Sequence, residues 1–120
     1  MTIEANEQGR RAIDALPNSI RIGAFDFAIA LWTHHQASGS ARYGEFSSIE
    51  QVIRLQRDMP SRFKAVDTFF HEVSHAIFWV YGIHDEDKEE RVVAALGSAW
   101  TAIYRDNPWL TKWITEAVRP

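Results

Sequence analysis

A chain of 120 residues with no cysteine and a formal charge of -3 has room for one domain with a modest core, and neither a disulfide frame nor a thiolate metal site. Its 13 Lys and Arg are scattered rather than clustered, which argues against nucleic acid as a partner. No stretch offers the ~18 uninterrupted apolar residues of a membrane span, and residues 1–16 lack the apolar run of a secretion signal. The expected location is the cytoplasm, with no membrane partner.

Residues 1–17 begin polar and run into Pro17, so a flexible arm with at most a short helical turn from Arg10 to Leu16 is expected there. Residues 18–120 are expected to form the single domain. From Ser19 to Trp32, Phe25, Phe27, Ile29 and Leu31 alternate with small or polar residues, the period of a strand with one buried face. Ile20 and Ile22 fall on the opposite phase, so a bulge is expected at Gly23-Ala24. His34 to Gly44, with Ser38-Gly39-Ser40, reads as a loop. A short second strand follows at Tyr43 to Ser47, and a third over Ile49 to Leu55, ending before Asp58-Met59-Pro60.

Ser61 suits the N-cap of a helix running to about Tyr81, with Gly82 as the left-handed residue beyond it. At ~100° per residue, Val66, Phe69, Phe70, Val73, Ala76, Ile77 and Val80 share an apolar arc, and His71, Glu72, His75 and Trp79 cluster roughly opposite. A second helix is expected from the acids Asp85, Glu86 and Asp87, which suit the positive end of its dipole, through to Tyr104. Asn107 and Pro108 then look like the N-cap and first residue of a short last helix bearing Trp109, Leu110, Trp113 and Ile114. Together these predict an α+β fold, a small three-stranded sheet followed by three helices.

The chemistry sits in His71-Glu72-Val73-Ser74-His75, an HExxH segment. Side chains at i and i+4 stack on one helix face, so both imidazoles can reach one ion. Glu72 lies ~100° round the helix, placed to take a proton from an activated water. Zinc suits nitrogen and oxygen donors, and a site of this kind needs a third protein ligand. The acids from Asp85 to Glu90 are the candidates. On an antiparallel second helix Glu86 would sit too near the turn, whereas Glu89 and Glu90 come level with the histidines. Glu90 is favoured because Ala94 and Gly97 on its face leave room for close approach; Glu89 is the alternative.

Other residues carry weaker signals. His34 and His35 are adjacent at a strand end, where neighbouring side chains point to opposite faces and do not readily chelate one ion together, so they read as exposed loop histidines. His84, Tyr81 and Tyr104 could donate to a bound oxyanion, but turn or core roles explain them better. Asp67, one turn before His71, could orient an imidazole or be a plain surface acid. No pattern calls for an organic cofactor.

The HExxH segment, the following Glu89-Glu90-Arg91-Val92-Val93, the Tyr43-Gly44-Glu45-Phe46 stretch and Asp106-Asn107-Pro108 together resemble the gluzincin zinc metallopeptidases. The likeness is to the very small phage and mobile-element forms related to the ImmA/IrrE type, and covers roughly residues 20–108. The resemblance implies a minimal zincin-like domain with Zn2+ held by His71, His75 and Glu90, and Glu72 as general base. It further implies a strand near Gly44 against which a protein or peptide substrate lies extended. Zinc-dependent peptide-bond hydrolysis is the activity expected, in a host cytoplasm for a phage-encoded protein. The alternative is a zincin-fold binding module with little or no turnover, a phage accessory or assembly factor.

Overall fold

A computed structural model describes residues 4–33 and 43–119; His34, His35 and the loop expected around Ser38-Gly39-Ser40 lie outside them. The order along the chain is α1 (Ala5–Asp14), β1 (Ser19–Ile22), β2 (Phe25–Trp32), β3 (Gly44–Ser47), β4 (Val52–Gln56), α2 (Arg62–Tyr81), α3 (Glu89–Asp106) and α4 (Trp109–Val118). The α+β class is as expected. Among the described residues, none of the helices is long and apolar enough to cross a membrane.

The sheet has four strands, in the order β1-β2-β4-β3, rather than three. The extra strand comes from the phase change at Gly23-Ala24. Ile22 pairs with Phe25 and Ile20 with Phe27 in an antiparallel hairpin, so the two residues between them are a turn and not a bulge. Gly23 takes the positive φ, 60°, that a two-residue hairpin turn demands of a glycine at its first position. Antiparallel partners share a face, which puts Ile20, Ile22 and Phe27 together in the core, each almost fully buried. β2 continues parallel to β4, and β3 returns antiparallel on the far side of β4, which makes β3 an edge of the sheet among the described residues. Ile49 and Gln51, expected in the third strand, belong to the β3–β4 turn, where Ile49 is 96% exposed and Gln51 has a φ of 52°.

α2 is the central helix, packing on α1, α3, α4 and the strands. Ser61 caps its start, its hydroxyl accepting from the Lys64 N–H at 3.0 Å. Gly82 ends it in the left-handed conformation, φ 61° and ψ 40°. Phe69, Val73, Ala76 and Ile77 are fully buried along its core face.

The N-terminal segment expected as a flexible arm is a ten-residue helix. Ile13 is fully buried, and the Trp113 indole N–H donates to the Ala12 carbonyl at 2.8 Å. The Arg57 guanidinium holds Asp14 through two hydrogen bonds of 2.9 and 3.0 Å, and Arg10 pairs with Asp58. Gly9 is obligatory in this packing, because a Cβ there would stand 2.5 Å from the Met59 carbonyl oxygen.

α3 starts at Glu89, later than expected. Asp87 belongs to the connecting turn, its carboxylate accepting from the His84 N–H at 2.7 Å and from Arg91 at 3.1 Å. At the other end of α3, the buried Asn107 acts as an added strand residue. Its Oδ1 accepts from the Arg21 N–H and its Nδ2 donates to the Arg21 carbonyl, both at 2.8 Å. The β1 edge is thereby tied to the junction of α3 and α4.

Candidate metal centre

A pocket of about 530 Å³ opens between α2 and the edge strand β3. Lys64, Asp67, Thr68, His71, Glu72 and His75 line it from the helix; Tyr43, Gly44, Glu45 and Phe46 line it from the strand side. The helical residues recur at three and four, so one stripe of α2 faces the pocket while the core stripe lies elsewhere on the helix.

His71 and His75 are exposed on this stripe, with their Nε2 atoms 3.2 Å apart and their rings at 78°. Two nitrogens bound at ~2.0–2.1 Å to a tetrahedral zinc lie ~3.3 Å apart, so the pair has the spacing of two ligands on one ion. The same spacing allows one Nε2–H to donate to the other ring. Metal binding separates these two arrangements.

Glu72 is 6% exposed, although its carboxylate lines the pocket. β3 passes directly over it: a Cβ on Gly44 would lie 2.9 Å from Glu72 Cγ, 3.1 Å from Glu72 Oε2 and 2.9 Å from the Thr68 methyl. Glycine at this strand position is what lets the strand approach the helix. The close approach that Gly44 permits is thus to the protein's own glutamate.

The expected third ligand stands apart from this group. Glu90 and Glu89 are exposed in the first turn of α3, and neither lines the pocket. Among the described residues no set of three His, Asp or Glu is gathered closely enough to hold a metal ion. α3 meets α2 through Trp100 against Phe70, ring centres 5.4 Å apart, and packs on β1. Ala94 is exposed and a Cβ on Gly97 would meet nothing within 4 Å, so the room expected on that face opens to solvent. The histidine pair and the buried glutamate fit a metal-activated water; among the described residues a third ligand does not join them.

Asp67 is exposed at the pocket wall one turn before His71. His84, Tyr81 and Tyr104 do not line the pocket. Glu45 pairs across the strands with Arg54 at 2.9 Å. Hydrogen bonds from Arg54 to Glu50 and then Glu45 hold its guanidinium above its ordinary pKa. One turn beyond His75, Trp79 stacks edge-on against Phe25 and Phe27, and Phe27 meets Phe46 of the pocket lining.

Lys64 and Thr68 belong to no motif; the signal for them in the sequence is their recurrence with Glu72 at i, i+4 and i+8. Comparison of the chain with protein-family models, curated proteins and solved structures finds no match.

Proposed function

We propose that the pocket between α2 and β3 is the centre of a zinc-dependent peptide hydrolase of gluzincin type, in a minimal zincin-like domain. The observation that carries the proposal is the 3.2 Å separation of the His71 and His75 Nε2 atoms beside a buried glutamate lining the same pocket. His71 and His75 hold the ion. Glu90 is the proposed third ligand on the strength of the family resemblance, and requires the first turn of α3 to approach the pocket.

A zinc ion bound there would lower the pKa of a coordinated water and polarise a carbonyl. Glu72 receives the proton of the attacking water and delivers it to the departing amine. Close packing of Gly44 in β3 against Glu72 holds the carboxylate from the strand side, so little reorganisation is needed as the proton moves. Among the described residues β3 is a sheet edge, and an extended peptide can add to it by main-chain hydrogen bonds with its carbonyl brought over the histidines.

The test is metal content after dialysis against zinc and removal of excess. About one zinc per chain in the wild type and none in His71→Ala or His75→Ala is the expected result. Equal zinc in all three proteins places the ion elsewhere, and none in any of them leaves the paired imidazoles as a hydrogen-bonded couple.

A further inference from the structure

Resting on the peptide-hydrolase proposal, we infer that Lys64 is a specificity residue that binds a carboxylate of the substrate, about three residues from the scissile bond. Among the described residues Lys64 is the one Lys or Arg that lines the pocket, and its ammonium lies 5.1 Å from the centre of the Tyr43 ring. That cation–π contact draws it towards the start of β3, onto the path of a peptide added to the strand edge. The Ser61 cap bonds the Lys64 N–H and so fixes the helical turn that presents the side chain. Among the described residues no carboxylate is ion-paired with it: Glu45 is held by Arg54, and Asp67 projects from α2 about 60° round the helix from Lys64.

The spacing sets the subsite. Lys64 precedes His71 by seven residues, about 10 Å along the helix axis, and an extended peptide covers that distance in about three residues. Tyr43 lies against Lys64 and Gly44 against Thr68 and Glu72, so β3 runs in the same sense as α2. A peptide added antiparallel to β3 therefore carries its C-terminal side towards Lys64. The carboxylate belongs to the leaving half of the substrate, as an Asp or Glu side chain or as the terminal carboxylate itself.

The test uses the full chain carrying Glu72→Gln, zinc-loaded so that peptides bind without being consumed. Fluorescein-labelled, C-amidated ten-residue peptides of degenerate Ala, Val, Leu and Ser sequence, with one fixed Glu, Gln or Lys, are titrated by anisotropy. A parallel set carries no Glu and a free C-terminus. We expect the Glu peptides or the free-carboxylate peptides to bind at least about fivefold tighter than the Gln amides. A gain from Glu assigns a side-chain carboxylate, and a gain from the free terminus assigns the terminal one. The gain should vanish in Lys64→Gln and reverse in Lys64→Glu, with unchanged thermal melts. No discrimination in the Lys64 protein, or a preference that survives Lys64→Gln, overturns the inference. Wild-type cleavage is read separately. Hydrolysis without dependence on Lys64 refutes this inference alone, whereas Lys64-dependent binding without hydrolysis refutes the hydrolase.

Discussion

The α-carbon of Gly44 and the side chain of Glu72 meet so closely that a single added methyl would stand 2.9 Å from Glu72 Cγ. Gly44→Ala must displace either the edge strand or the glutamate. The expected destabilisation is about 1–3 kcal/mol, as for other overpacked sites, measured by urea denaturation of the zinc-free protein. If cleavage occurs, it should fall more than stability does, because the displaced group is the proposed base. An unchanged midpoint would show that the strand yields freely.

Zinc should stabilise the wild type, because an ion that binds only the native state shifts the folding equilibrium. At a free concentration 100 times the dissociation constant the gain is about 2.7 kcal/mol, seen as a rise in Tm that chelator reverses. His71→Ala should show no such rise. A zinc-dependent shift that persists in the variant would contradict the paired-histidine site.

The third ligand is testable by isosteric change. Glu90→Gln should weaken zinc affinity at least about tenfold, as loss of a direct ligand does, while Glu86→Gln leaves it unchanged. Asp67→Asn, at the pocket wall, should have the smaller effect of a group that orients an imidazole. A larger loss in Asp67→Asn than in Glu90→Gln would place the oxygen donor on α2 itself.

Asn107→Ala removes three hydrogen bonds, two to Arg21 and one to the Ile103 carbonyl; the Ile103 carbonyl keeps the Asn107 N–H, and the part-buried Arg21 N–H and carbonyl lose their side-chain partner. A loss of about 2–4 kcal/mol is expected, with faster amide exchange at Arg21. A change under about 0.5 kcal/mol would mean that water replaces the bracket without cost.

What the sequence made legible was local. Ser61 and Gly82 mark the ends of α2 because a cap and a left-handed residue are conformational demands on single positions, and the i,i+4 histidines meet because helix geometry alone brings them together. The strand count failed at Gly23-Ala24, where a bulge and a two-residue turn both change the phase, and only pairing distinguishes them. α1 was missed because its burial comes from partners distant in sequence, Met59 beneath Gly9 and Trp113 against Ala12. The position of Glu90 relative to the histidines depends on how α3 lies against α2, which spacing within each helix does not determine; Trp100 meets Phe70 where the two helices pack.

The most direct measurement is the comparison of wild type with Glu72→Gln, assayed together for zinc content and for cleavage of a degenerate peptide library. Gln keeps the size of Glu72 beside Gly44 and leaves His71 and His75 in place, but a neutral amide cannot collect the water's proton. The account predicts equal zinc in the two proteins and a cleavage rate lower by at least about a hundredfold in the variant. Equal cleavage by both, or none by the zinc-loaded wild type with its native partner present, would contradict it.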